Sequence, residues 1–232
     1  MTNGAVFIMG LRVKICGIIE PEQGRVIAEL GATALGFICV AKSPRYVAPE
    51  QIAHVVAALP TNSQTGTILC DRIGVFVNAS LDQIVQTAAI AHLSGIQLHG
   101  NESAEFCRAL RQRLPRLELI KAFRVQSSEA LQQIPLYEAW VDTLLLDAYH
   151  PTLAGGTGKT LDWKMLQQFQ PTVPWFLAGG LNPTNVLDAL SFVQPRGIDL
   201  SSGVEVAPGN KDLNKIAELF SNLQTFRGSL PK

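Results

Sequence analysis

The chain has 232 residues, 47% of them hydrophobic, and its 19 basic and 19 acidic residues cancel. A chain of this size buries a core without staples, and its neutrality argues against a general nucleic-acid binder or an anionic-membrane binder. The four cysteines, at positions 16, 39, 70 and 107, show no Cys-x-x-Cys spacing. Neither structural zinc nor a disulfide framework is therefore expected, and a reducing cytoplasmic setting fits.

Residues 4–11 are apolar, but no basic residue precedes them and Arg12 and Lys14 follow. That order is not the order of a signal peptide, and no apolar run approaches a membrane span. Without a linker-like stretch or charge block, the expectation is one domain over residues 1–232, with 1–11 as an N-terminal extension and 227–232 as a tail.

In chain order, apolar runs predict strands at residues 12–16, 34–39, 73–78, 95–99, 118–123, 143–147, 174–178 and 197–201. Segments of helical period lie between most of them, at 20–30, 49–58, 81–91, 102–114 and 182–190. Pro21, Pro49 and Pro183 sit where a first helical turn tolerates proline. Residues 127–140 are weakly patterned, because Pro135 interrupts them. Eight alternations of strand and helix predict an α/β fold, a parallel sheet closed into a single-domain TIM-type (β/α)8 barrel.

Strand alternation predicts which side chains meet. A barrel strand packs its outer face on helices, so the apolar members Val13, Ile15, Ile96, Leu98, Leu144, Leu146, Ile198 and Leu200 should point outward. Lys14, Cys16, Gln97, His99, Asp147, Asp199 and Ser201 then converge inside, near the C-terminal mouth where such barrels keep their chemistry. A dry core would not choose those residues, because an unpaired buried charge is costly.

Cys16 ends its strand beside Gly17, and Lys14 on the same face should favour its thiolate. A lone cysteine is more often a small hydrophobe, and that plain reading stands for Cys39, Cys70 and Cys107. Asp147 follows three leucines. It is either a cap for the next segment or a carboxylate that holds a proton in a partly apolar pocket and serves as general acid. The run Gly155-Gly156-Thr157-Gly158-Lys159-Thr160 resembles a nucleotide-binding loop, but the full pattern needs a glycine at position 153, where Leu153 stands. An active-site loop over an anionic substrate is the better expectation, with Gly156 among its contacts. Gly179-Gly180 and Ser201-Ser202-Gly203 follow the last two strands, where β/α barrels often bind phosphate through backbone N–H groups. Arg45, in the basic loop after the second strand, has the planar fork that grips a carboxylate.

Seven blocks in order carry a resemblance that spans nearly the whole chain. They are residues 13–18 (VKICGI), 42–47 (KSPRYV), 74–78 (GVFVN), 96–102 (IQLHGNE), 145–148 with 155–163 (LLDA, GGTGKTLDW), 178–183 (AGGLNP), and 198–205 with 208–212. The chain resembles the phosphoribosylanthranilate isomerases of tryptophan biosynthesis. The resemblance implies a cofactor-independent, metal-independent Amadori rearrangement of a small phosphorylated substrate, with no nucleic-acid or membrane partner and a monomer or homodimer as the working unit. It implies Cys16 as general base, Asp147 as general acid and Arg45 as ligand of the anthranilate carboxylate. His99 and Asp199 match polar active-site positions. The related phosphoribosyl-aldose isomerases of histidine biosynthesis would use two aspartates, and Cys16 speaks against that alternative. A ligand sensor on a degenerate barrel would have lost a catalytic group, and neither is lost.

Overall fold

The computed structural model describes residues 10–125, 128–147, 163–166 and 168–228. Eight parallel strands close into a barrel in chain order. They are β1 (Arg12–Cys16), β2 (Ala34–Ile38), β3 (Asp71–Phe76), β4 (Gly95–Leu98), β5 (Glu118–Arg124), β6 (Thr143–Asp147), β7 (Trp175–Ala178) and β8 (Gly197–Leu200). The ring closes where β1 meets β8, with Lys14 paired to Asp199 and Ile15 to Leu200.

Around the barrel lie α1 (Pro21–Leu30), α2 (Pro49–Ala57), α3 (Leu81–Ile90), α4 (Ala104–Arg113), α5 (Val186–Phe192) and α6 (Leu213–Gly228). Pro21 and Pro49 open their helices at a position whose N–H has no intrahelical partner, so the missing donor costs nothing there. Ser80 caps α3 by accepting from the Gln83 N–H, and Gln83 returns the bond as a capping box. Ser103 caps α4 through the Phe106 N–H.

The strand and helix expectations hold to within a few residues, with three differences of substance. α5 begins at Val186 rather than at 182, because the Asn182 side chain takes the Thr184 and Asn185 N–H groups in a turn. The weakly patterned segment contains a 3-10 helix, Ser128–Leu136, with Pro135 inside it. After β8 come a hairpin, β9 (Glu205–Ala207) with β10 (Asn210–Lys211), and the sixteen-residue α6, none of which was anticipated.

Alternation places the core as predicted. Val13, Ile15, Ile96, Leu98, Leu144, Leu146, Ile198 and Leu200 face outward in one cluster with Ile27, Ile52, Ile84, Leu110, Val186 and Ile216 of the helices. Each such side chain, fully withdrawn from water, contributes roughly 1.5–3 kcal/mol. Inside the barrel a second cluster of Ala34, Ile73, Ile120, Ala122, Leu145, Phe176 and Ala178 forms an apolar plug. The N-terminal end is shut by Arg12, which bonds Asp71 at 2.7 Å and Glu118 at 2.6 Å and lies 5.0 Å over the Phe176 ring. Thr143 donates to the same Glu118. Chemistry is thereby left to the other end.

Candidate active site

A cleft of about 310 Å³ opens at the C-terminal mouth. It is lined by Cys16, Arg45, Gln97, His99, Asp147, Gly179, Gly180, Asp199, Ser201, Ser202 and Gly203, together with Ile38, Ser43, Val75, Ala178 and Leu181. The site residues expected from the sequence line this cleft, except Lys14, which is buried below it, and Gly156, which lies with the rest of the 155–160 loop outside the described residues.

Cys16 stands at the tip of β1, 5% exposed. Lys14 is fully buried two residues below, its Nζ 3.1 Å from both Asp199 carboxylate oxygens. The two side chains meet over Gly36: a Cβ there would lie 2.6 Å from Cys16 Sγ and 2.8 Å from Lys14 Nζ. Only a residue without a side chain lets the Cys16 thiol and the Lys14 ammonium share that layer of the barrel. Burial works against the Lys14 ammonium, but Asp199 and Cys16 outweigh it and hold its pKa above the usual range.

Lys14 favours the Cys16 thiolate as expected, but burial outweighs it and the net direction of the pKa is upward. Burial pushes its pKa above 9.0. Lys14 pulls the other way, Asp199 adds to the rise, and Lys211 helps to lower it without reversing the sign. Sequence reading counted the cation and missed both the desolvation and the carboxylate that already neutralises it.

Across the mouth, Asp147 ends β6, and its Oδ2 lies 3.5 Å from His99 Nε2. The other ring nitrogen, Nδ1, is 3.2 Å from Gln97 Nε2. A Gln97 amide that donates to Nδ1 assigns an Nε2–H tautomer, whose N–H faces Asp147. Among the described residues Gln97 Oε1, which is buried, has no hydrogen-bond partner.

The loops after β7 and β8 pack back to back. Gly179 and Gly180 have φ of +97° and +66°, and a Cβ on Gly203 would lie 2.0 Å from the Leu181 carbonyl oxygen. The Ser201 hydroxyl is already engaged, donating to the Cys16 carbonyl at 3.0 Å.

Arg45 reaches the cleft with its guanidinium already partnered, Nε and Nη2 bonding Glu205 at 2.9 and 2.6 Å. Glu205 also accepts from Lys211 Nζ at 2.7 Å, and Lys211 donates to the Cys16 carbonyl at 2.5 Å. Neither Glu205 nor Lys211 was singled out from the sequence. The available signal was that both stand inside blocks of the family resemblance, at 198–205 and 208–212. A second unforeseen pair, Lys121 with Glu102 at 3.0 Å, braces the loop that carries His99, since Glu102 accepts from the Asn78 and Gly100 N–H groups. Among the described residues no group of His, Cys, Asp and Glu side chains could hold a metal ion, and no helix is long and apolar enough to cross a membrane.

A closed parallel barrel with a thiol, a carboxylate and two glycine loops at its C-terminal mouth is the arrangement of a β/α-barrel enzyme, with the last two loops where such barrels often bind phosphate. Residues 13–222 match the family model described as N-(5'-phosphoribosyl)anthranilate (PRA) isomerase. The chain is 60% identical over 215 residues to the N-(5'-phosphoribosyl)anthranilate isomerase of Acaryochloris marina, covering 93% of this chain and 99% of that one. Among solved structures, it is similar to phosphoribosyl anthranilate isomerase from Thermotoga maritima, with a TM-score of 0.82, 36% identity and coverage of 93% and 99%. It is also similar to a phosphoribosyl anthranilate isomerase in complex with reduced 1-(o-carboxyphenylamino)-1-deoxyribulose 5-phosphate, with a TM-score of 0.79, 34% identity and the same coverage. The chain belongs to the N-(5'-phosphoribosyl)anthranilate isomerase family of tryptophan biosynthesis.

Proposed function

We propose that this chain converts N-(5'-phosphoribosyl)anthranilate to 1-(2-carboxyphenylamino)-1-deoxyribulose 5-phosphate, with Asp147 as general acid and Cys16 as general base. The observation that carries the assignment is placement. The two groups line one small cleft from β1 and β6, and the glycine loops of β7 and β8 lie between them. An acid and a base must reach different atoms of one sugar, and opposed strands of a barrel supply that separation.

Asp147 gives its proton to the ribose ring oxygen. The bond from that oxygen to C1 breaks, and the anthranilate nitrogen lone pair forms the C1=N bond of a protonated Schiff base. The Cys16 thiolate then takes the proton from C2, and the released electron pair forms C1=C2 as the C1=N pair returns to nitrogen. The resulting enolamine tautomerises to the ketone. No electrons leave the substrate, so the chemistry needs only proton transfers. In this reading the backbone of 179–180 and 202–203 holds the phosphate, Arg45 takes the ring carboxylate, and His99 presents its Nε2–H to Asp147 as the acid ionises.

Replacing Asp147 with Asn tests the acid. The variant should fold and bind the reduced product analogue, with kcat lowered at least about a hundredfold. Turnover near that of the unaltered chain would remove Asp147 from the mechanism.

A further inference from the structure

We propose that Glu205 is the positioning residue of the carboxylate end of the site, and that Arg45 recognises the ligand through one edge of its guanidinium because Glu205 holds the other. The inference rests on the reading that Arg45 binds a carboxylate, and goes beyond it in saying which residue aims Arg45 and which atoms remain for the ligand.

A guanidinium has two edges that can each make a paired contact with a carboxylate, one of Nε with an Nη and one of both Nη atoms. Glu205 occupies the first, with Nε at 2.9 and 3.2 Å from its two oxygens and Nη2 at 2.6 Å from Oε2. Among the described residues nothing bonds Nη1, and Arg45 lines the cleft. The edge that Nη1 shares with Nη2 is thus the one left to a ligand.

Glu205 is itself fixed. Its side chain is 4% exposed, and it accepts from Lys211 Nζ at 2.7 Å and from the Gly209 N–H at 3.0 Å, which closes the β9–β10 hairpin over it. Burial disfavours its charge, but the bonds from Arg45 and Lys211 more than offset this and hold the carboxyl at about 2. Lys211 passes the constraint on to the base, since its Nζ also meets the Cys16 carbonyl oxygen.

Gly17 makes room for the crossing: it has φ +85°, and a Cβ there would lie 2.8 Å from Arg45 Cδ and 3.5 Å from both Lys211 Nζ and Ser201 Oγ. One carboxylate therefore sets the distance between the ring-binding fork and the proton-accepting thiol. Two cationic side chains share this one carboxylate.

The test compares Glu205→Gln with the unaltered chain by calorimetric titration of two ligands. One is reduced 1-(o-carboxyphenylamino)-1-deoxyribulose 5-phosphate, and the other is the same molecule with the ring carboxyl replaced by hydrogen. The proposal expects affinity for the first to fall at least about tenfold, the loss of an aimed charge-assisted contact, and affinity for the second to change less than about twofold. Equal losses for both ligands, or no loss for either, overturn it. In the Arg45→Ala background, adding Glu205→Gln should change neither affinity further, and a further selective loss of the first ligand would also overturn it. If Arg45→Ala alone fails to separate the two ligands, the carboxylate reading of Arg45 falls, whatever Glu205 does. Should Glu205→Gln yield no folded protein, Arg45→Lys decides the matter. An ammonium held by Glu205 has no second edge, so discrimination between the ligands should drop, and retained discrimination overturns the proposal.

Discussion

A base that takes a carbon-bound proton near neutral pH works best with its pKa close to that pH. Burial moves Cys16 away from it, while Lys14 and Lys211 limit the displacement. Alkylation by iodoacetamide should therefore accelerate as pH rises through and beyond the range where an ordinary thiol ionises, because burial disfavours the reactive thiolate. Cys39 and Cys70 are pushed up to about 12 and Cys107 to about 11 by burial, and none of them lines the cleft. They should label more slowly than Cys16, and the product analogue should protect Cys16 alone. A labelling plateau below pH 8, or no protection, would count against a buried thiol facing the ligand.

Single residues also mark where the sequence stops being legible. Cys16, His99, Asp147 and Asp199 could be placed because inward positions at strand tips follow from alternation alone. Glu205 could not, since its partner Arg45 is 160 positions away and nothing local distinguishes a buried glutamate from a solvated one. Lys121 is harder still. It occupies an outward position of β5 between Leu119 and Phe123, where the pattern calls for an apolar residue, and its buried ammonium is met by Glu102 and the Leu98 and Gly100 carbonyls.

At the scale of elements, the loops after β7 and β8 form one unit, because Gly203 and Leu181 touch through their backbones. Gly203→Ala puts a methyl 2.0 Å from the Leu181 carbonyl oxygen and must push the loops apart. The expected result is weaker binding of the product analogue, at least about tenfold in Kd, from misplaced backbone donors. Calorimetric titration checks this, and unchanged affinity would show that these loops do not hold the phosphate. The helix α6 is an instance of a readable signal left unread. Ile216, Leu219, Phe220 and Leu223 recur at helical spacing and are all buried, and the Asp212 side chain takes the Asn214 and Lys215 N–H groups at its start. The β9–β10 hairpin had no comparable signal, since its strands are three and two residues long.

Over the whole molecule, stability and chemistry occupy opposite ends of the barrel. The Arg12, Asp71, Glu118 and Thr143 cluster closes the N-terminal end, the apolar plug fills the middle, and the cleft takes the C-terminal mouth. Arg12→Ala leaves Glu118 without its cation and should cost about 2 kcal/mol of unfolding free energy, less than a fully buried pair because Arg12 is partly exposed. Turnover at 25 °C should change less than about twofold, since no group of the cleft is touched. Denaturant unfolding and a steady-state assay read the two effects separately, and a large loss of kcat with little loss of stability would break the division.

The central claim is that Cys16 takes the C2 proton while Asp147 opens the ring. The most direct measurement is the loss of fluorescence of freshly generated N-(5'-phosphoribosyl)anthranilate in the presence of Cys16→Ser. A hydroxyl in the same place is a far weaker proton acceptor than a thiolate, so kcat should fall at least about a hundredfold while the reduced product analogue still binds. Turnover within a few-fold of the unaltered chain would contradict the assignment of Cys16 as the base.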